Sequence, residues 1–181
     1  MFIEALVLSI ILGIILKGSL ANLGNLKLDK IYLILISFAI EFLMMILITK
    51  GIISRGVYTY FFNFVMYLLL LTFVYYNRSN FTIIIMGIGF ILNALPIFLN
   101  GGAMPVSPKA VYLAGLAPSV SAVKVSTEGL YVLQNAQTKL WFLGDIIPKP
   151  FLRPAVISIG DIVIALGLIL LIIKGMRKSL K

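Results

Sequence analysis

Apolar residues run through the chain in five long segments, which shorter polar stretches separate. The segments cover residues 2–17, 31–49, 57–76, 81–99 and 155–173. A helix needs about 20 apolar residues to cross the hydrocarbon of a bilayer, at 1.5 Å per residue. The later segments approach that length, whereas the first, with 16 residues, is short. We therefore predict five transmembrane helices.

Residues 100–153 form a long segment without continuous hydropathy. Connections longer than about 12–15 residues are usually functional or disordered, and the Tyr, Trp and Phe residues of this one favour a folded loop. We predict a lid or cradle at the outer membrane surface. Within it, residues 108–117 fit an interfacial or re-entrant helix. Residues 129–142 fit a short strand pair or an amphipathic helix.

Composition favours a membrane domain over a soluble fold. Of the 181 residues, 61% are hydrophobic and 12% are charged, whereas soluble domains carry roughly 25% charged residues. A single soluble core of this size cannot bury so much apolar surface, so the chain needs the bilayer as its solvent. We predict an all-α membrane protein that forms one domain over residues 1–181.

The chain contains neither cysteine nor histidine, which narrows its chemistry. Disulfides, thiol nucleophiles, imidazole bases and the usual zinc ligands are excluded, and we predict no cofactor and no metal. Acid–base chemistry is left to Lys, Tyr, Ser or Thr and to six acidic residues. These are Glu4, Asp29, Glu41, Glu128, Asp145 and Asp161.

Basic residues predict the orientation and a lipid partner. The net charge is +9, but Lys and Arg stand singly between apolar segments. This pattern indicates anionic lipid headgroups, not nucleic acid, as the partner. The basic loop 17–30, the turn 77–80 and the basic C-terminal tail fall on one side of a five-span protein. Because positive loops face the cytoplasm, we predict an outer N-terminus and a cytoplasmic C-terminus in the cell membrane.

Two carboxylates stand near the end of the long loop. Asp145 lies in Leu-Gly-Asp-Ile-Ile-Pro, and Asp161 lies at the start of the last apolar segment. The prolines between them force a turn, which can bring both acids to the mouth of the bundle. Two close carboxylates share one proton, so one can activate water while the other donates. This predicts a catalytic pair; the structural alternatives are a helix cap at Asp161 and a turn residue at Asp145.

A second polar set lies inside the predicted spans: Glu41 in the second, Asn63 in the third and Asn93 in the fourth. Ionisable residues at membrane depth are functional candidates by default, so this set predicts an intramembrane polar site. The alternative is a protonated Glu41 that forms a hydrogen bond with Asn63 or Asn93 on a neighbouring helix.

Further candidates for substrate binding adjoin the loop. Asn100, Gly101 and Gly102 follow the fourth span, where glycines allow close approach of a ligand to the backbone or simply end the helix. Trp141, together with Lys139 and Arg153, fits binding of a lipid phosphate or ordinary anchoring at the interface.

The whole chain resembles a bacterial membrane family of unknown function, in Asn-Gly-Gly-Ala-Met-Pro (100–105), in residues 138–148 and in Ser-Ile-Gly-Asp (158–161). Its C-terminal 40 residues are also similar to the end of signal peptidase II, the lipoprotein signal peptidase. That family carries one catalytic Asp in a V-x-D-F box and another in an F-N-x-A-D box that opens its last helix. The resemblance implies that Asp145 and Asp161 form the dyad, with Ser158 at the position of the family's Asn. Neither Phe of the two boxes is present.

Three functions follow from these observations. The first is an intramembrane aspartyl hydrolase that cleaves a membrane-anchored peptide or lipoprotein approaching from the bilayer. The second is a protein that binds or transports a small molecule or ion through the same polar residues. The third is an accessory subunit, or an oligomer, that packs against a membrane partner.

Overall fold

The computed structural model describes residues 2–123 and 130–177. Its helices are α1 Phe2–Ile15, α2 Tyr32–Thr49, α3 Val57–Tyr76, α4 Phe81–Leu99, α5 Pro108–Leu113 and α6 Ile159–Arg177. Its short strands are β1 Met104–Val106, β2 Tyr131–Leu133, β3 Ile147–Lys149 and β4 Ala155–Ile157. Single 3-10 turns cover Leu20–Asn25, Val120–Ala122 and Trp141–Leu143.

Four of these helices, α2, α3, α4 and α6, are long and apolar enough to cross a bilayer. The prediction of a mostly helical membrane protein is confirmed. The first apolar segment forms a helix of 14 residues, or about 21 Å, which is shorter than the hydrocarbon layer of about 30 Å. It still accompanies α6 from one end to the other. Glu4 pairs with Lys149 ahead of α6, and the N–H of Ser19 donates to the carbonyl of Met176 at its far end.

Glycines set the close packing of α4 against α6. The two helices run antiparallel, because Asn80 before α4 meets Lys174 near the end of α6. A Cβ added to Gly160 would lie 2.8 Å from the carbonyl oxygen of Gly89, and one added to Gly167 would lie 2.9 Å from that of Thr82. Small residues that bring backbones together are typical of helix interfaces in membranes. This contact fixes where the start of α6 sits beside α4.

The segment between α4 and α6, residues 100–158, folds over one end of the bundle, and we call it the cap. Its strand β1 lies between two neighbours. It pairs in parallel with β2, with Met104 opposite Tyr131, and it forms a bridge from Val106 to Asp145. Strands β3 and β4 pair antiparallel. The loop is folded, but the strand pair expected within residues 129–142 is not found there: the segment contributes the single strand β2, whose partner β1 lies outside it.

Several predicted boundaries differ from the structure. The last span was expected over 155–173, but residues 155–157 pair with β3, so α6 begins at Ile159 and continues to Arg177. The expected helix over 108–117 ends at Leu113. The first helix ends at Ile15, and Lys17 after it has a φ of +62°. The candidate segment 129–142 begins at a residue outside the described ranges.

Basic residues lie at both ends of the bundle, and the orientation stays a prediction. Among the described residues the cap end carries Lys50, Arg55, Lys109, Lys139, Lys149 and Arg153. The end opposite the cap carries the loop after α1, the turn after α3 and the end of α6. Its basic residues are Lys17, Lys27, Lys30, Arg78, Lys174 and Arg177. The tail residues Lys178 and Lys181, which the prediction also used, lie outside the described residues.

Candidate functional site

Asp161 belongs to a three-residue network at the start of α6. Its Oδ1 accepts a hydrogen bond from Asn93 Nδ2 at 2.9 Å, and its Oδ2 accepts from the backbone N–H of Ser158 at 3.2 Å. Its own N–H donates to Ser158 Oγ at 2.9 Å. Ser158 and Asp161 therefore cap α6 reciprocally, in the manner of a capping box.

Asn93 connects this cap to α4. While its Nδ2 donates to Asp161, its Oδ1 accepts from Ser158 Oγ at 2.7 Å. Gly160 makes the contact possible, because a Cβ at that position would overlap the Asn93 amide. Asn93 lies about 9 Å before the end of α4, counted at 1.5 Å per residue. The network thus lies below the end of the bundle, not on its surface.

Asp145 occupies a different environment in the cap. Its backbone is fixed on both sides, because its N–H donates to the carbonyl of Pro105 at 2.8 Å and its carbonyl accepts from Ser107 at 2.9 Å. The residue is only 7% exposed. Its carboxylate nevertheless forms no hydrogen bond or ion pair with any residue in the described part of the chain. A buried carboxylate without a partner favours its neutral form.

The electrostatic surroundings act in the same direction. Burial, and secondarily the charge of Asp161, raise the pKa of Asp145 to about 8. Burial also raises the pKa of Tyr131 on β2 to about 12, and the charges of Asp145, Glu41 and Asp161 add to it in that order. Tyr131 as a whole is 41% exposed, so this burial is partial. The three acids therefore share one region of negative potential.

The two aspartates do not form a hydrogen-bonded pair. Among residues 2–123 and 130–177, no hydrogen bond joins their carboxylates, although the charge of Asp161 raises the pKa of Asp145. Over the same residues, no group of three acids is arranged to hold a metal ion. Glu128 lies outside the described residues. The catalytic pair remains a prediction.

The intramembrane set separates into two parts. Asn93 belongs to the Asp161 network. Asn63 instead donates to the carbonyls of Thr59 at 2.8 Å and Gly102 at 3.0 Å. It therefore ties α3 to the first residues of the cap. Glu41 bonds to neither amide within the described chain. The alternative interpretation, in which one of these asparagines satisfies Glu41, has no support.

The candidate substrate residues near the fourth span take part in local structure. Gly101 and Gly102 have φ values of +81° and +75° and turn the chain after α4. Asn100 exchanges two hydrogen bonds with the backbone of Lys139, at 2.7 and 2.9 Å. Trp141 is 56% exposed at the side of the cap. These positions connect the cap to the bundle, and their role in binding remains a prediction.

Comparisons with known proteins show which family the chain belongs to. A model for a family of unknown function, DUF5317, matches residues 25–173. The chain belongs to the DUF5317 family. It is also similar to an uncharacterized protein of Thermotoga maritima, with 28% identity over 169 residues, which cover 92% of this chain and 87% of that protein. No solved structure matches it.

The family match confirms the resemblance to a membrane family of unknown function. It gives no support to the resemblance to signal peptidase II. The matched range contains Glu41, Asp145 and Asp161, while α1 lies before it. The acidic region therefore lies within the range that the family model matches.

Sequence reasoning missed two contributors to the acidic region. Tyr131 was assigned only to a strand pair or an amphipathic helix, and Pro105 was noted only as part of the Asn-Gly-Gly-Ala-Met-Pro motif. In the structure Pro105 accepts the N–H of Asp145, and Tyr131 stands within reach of all three negative charges. The parallel pairing of β1 with β2 places Tyr131, and the bridge from β1 to Asp145 makes the Pro105 contact. No local sequence signal encodes either pairing of such short strands.

Proposed function

We propose that this protein binds a cationic ligand in the acidic region, in competition with protons. The observation that carries the proposal is the uncompensated negative charge. Glu41, Asp145 and Asp161 come from α2, the cap and α6, and all three act on Tyr131. No Lys or Arg in the described ranges forms an ion pair with any of them. Carboxylates in a low-dielectric site must take up either a proton or a cation.

The ligand class follows from the arrangement of the acids. They are not grouped as a metal site in the described part of the chain, which argues against a coordinated ion. An ammonium group is different, because it has three N–H donors and forms separate hydrogen bonds to single carboxylates. Asp145 supplies a buried carboxylate with no competing partner among those residues. We therefore assign the site to an organic ammonium compound.

Thermal unfolding of the detergent-solubilised protein tests this proposal. The probes are methylammonium and ethanolammonium chloride, compared with sodium chloride at equal ionic strength. A ligand that binds only the folded state raises its stability in proportion to ln(1 + [L]/Kd). Protons occupy Asp145 below its pKa of about 8, so the apparent affinity should fall by up to about tenfold per pH unit below that value.

The matched variants decide the result. Asp145→Asn should abolish the stabilisation by ammonium at pH 9, whereas Asp29→Asn, an exposed acid at the opposite end, should retain it. If Asp145→Asn responds to ammonium as the wild type does, or if the response is independent of pH, the proposal is wrong.

The aspartyl hydrolase is the second candidate, and one observation favours it. At neutral pH the raised pKa of Asp145 keeps its carboxyl protonated, while Asp161 accepts two N–H donors. Two acids with separated roles are what general acid–base chemistry needs. Cleavage of membrane-anchored fluorogenic peptides in proteoliposomes tests it. Asp145→Asn and Asp161→Asn should each abolish cleavage, and Glu41→Gln should retain it; any other pattern excludes the hydrolase.

For the location, we propose a bacterial cell membrane with the cap outside. The short connections support this orientation under the positive-inside rule. Those opposite the cap carry Lys17, Lys27, Lys30 and Arg78, whereas the short turn at the cap end carries Lys50 and Arg55. Because the chain lacks cysteine, single cysteines can report it. A membrane-impermeant maleimide should label Lys139→Cys in intact cells and should leave Arg177→Cys unlabelled; the reverse pattern would invert the orientation.

A further inference from the structure

An apolar groove lies between α1 and the turn that joins β3 to β4. Its volume is about 640 Å³, within the range of ordinary ligand sites. The apolar part of the α1 wall is formed by Ile3, Val7, Leu8 and Ile11. Glu4 lies at its cap end, and the turn contributes Leu152 and Arg153. This lipid-side groove shares no residue with the acidic region.

The α1 wall is a continuous apolar stripe that faces away from the protein. Residues 3, 7 and 11 repeat at four-residue spacing, which places them on one face of a helix. Ile3, Val7, Leu8 and Ile11 are each about half exposed. The opposite face, with Ala5, Ser9 and Gly13, is the buried one. The stripe runs about 12 Å along the helix from Ile3 to Ile11, parallel to the direction in which lipid chains extend.

The mouth of the groove lies at the cap end and carries a net positive charge, because Glu4 in its lining is paired with Lys149 and Arg153 adds a further charge. Arg153 forms no ion pair or hydrogen bond with any described residue. The neighbouring Lys149 is engaged by Glu4 at 2.6 Å, so the guanidinium of Arg153 is the available charge on this turn. Phe151 and Leu152 beside it are 77% and 88% exposed, as expected of residues that enter the headgroup region. The groove thus changes from cationic to apolar along its length.

We infer that this groove binds an anionic phospholipid, with its phosphate on Arg153 and one acyl chain along Ile3, Val7 and Ile11 of α1. Two features favour this ligand: the positive charge of Arg153 at the mouth, and the change from a charged to an apolar lining along the groove. A guanidinium presents a planar set of donors that matches phosphate oxygens in a bidentate manner. An apolar stripe of helical length, open towards the bilayer, matches a chain of methylenes. This inference is independent of the proposed cation site.

Native mass spectrometry of the detergent-solubilised protein with added phosphatidylglycerol tests the inference. The wild type should retain one phosphatidylglycerol in preference to phosphatidylcholine. Arg153→Gln should weaken that retention about tenfold, and Arg177→Gln at the opposite end should not change it. Val7→Trp should also weaken it, because the indole fills the groove on a face that no other helix covers.

Three outcomes would overturn the inference. Equal retention of the two lipids would show that the phosphate charge is not selected. Displacement of the lipid by millimolar inorganic phosphate alone would indicate an anion site without an acyl chain. Dimers that Val7→Trp disrupts would show that a second copy of the chain occupies the groove. A melting temperature of Val7→Trp equal to that of the wild type confirms that the variant is folded.

Discussion

The two aspartates at the cap end of this protein differ in what surrounds their carboxylates. Asp161 receives hydrogen bonds from Asn93 and from the backbone of Ser158. The backbone of Asp145 is held by two hydrogen bonds, yet its side chain forms no hydrogen bond or ion pair in the described part of the chain. The same side chain therefore has two roles: Asp161 stabilises the fold, whereas the carboxyl group of Asp145 is available to a ligand or proton. A carboxyl group without a partner on a largely buried residue is expected where a ligand or proton binds.

The strongest test of this contrast removes the Asn93 amide. Asn93→Leu takes away the donor to Asp161 and the acceptor for the buried Ser158 hydroxyl. Each unsatisfied group in an apolar site costs about 1–3 kcal/mol, so we expect a loss of about 3 kcal/mol in the free energy of unfolding. The measurement is denaturant titration in mixed micelles.

The control for that variant is Asn25→Leu. The Asn25 side chain makes no hydrogen bond with the described residues, and a substitution there should change the free energy by less than about 0.5 kcal/mol. If both variants lose equal stability, the network does not hold α6 to α4, and the assignment of Asp161 as a structural acid fails.

The next test concerns the pH dependence that Asp145 introduces. Its pKa is about 8 in the folded protein against an ordinary 3.8, so the folded state holds a proton that the unfolded state releases. This contribution to stability is complete below about pH 4 and is lost as the pH rises through about 8. The wild type should therefore become less stable across this range, by at most about 1.4 kcal/mol per pH unit.

Asp145→Asn should remove that slope, because the amide does not titrate. Melting temperatures measured from pH 5 to pH 9 should converge at low pH, and the variant should be the more stable protein at pH 9. Asp29→Asn should follow the wild-type curve. A slope that persists in Asp145→Asn would assign the titration to another group and would weaken the contrast between the two aspartates.

The sequence predicted the bundle because transmembrane spans are encoded locally. A run of apolar residues such as 57–76 or 81–99 needs only its own length to define a helix, and both segments match the structure. The Ser158 to Asp161 spacing likewise encodes a cap within four residues. Interpretations that depended on single short segments were therefore the reliable ones.

The environment of Asp145 was not predictable in the same way. It depends on pairings between residues that are far apart in the chain, such as Met104 with Tyr131 and Val106 with Asp145. Strands of three residues carry too little periodicity to reveal their partners. The early boundary for the last span has the same cause, because Ala155–Ile157 is apolar but pairs with β3. The different environments of Asp145 and Asp161 therefore result from pairing between distant residues, not from composition.

The smallest effect is expected at the outer edge of the cap. Lys149→Gln removes the ion pair with Glu4, in which both side chains are partly exposed. Exposed pairs contribute little and are screened by salt, so the melting temperature should fall by about 1–2 °C at low salt and match the wild type at 0.5 M sodium chloride. The comparison is a pair of thermal scans at the two salt concentrations. A large loss of melting temperature that salt does not change would mean that the turn between β3 and β4 holds the cap in place. The backbone pairing of β1 with β2 and with Asp145 would then not be enough to fix the acidic region.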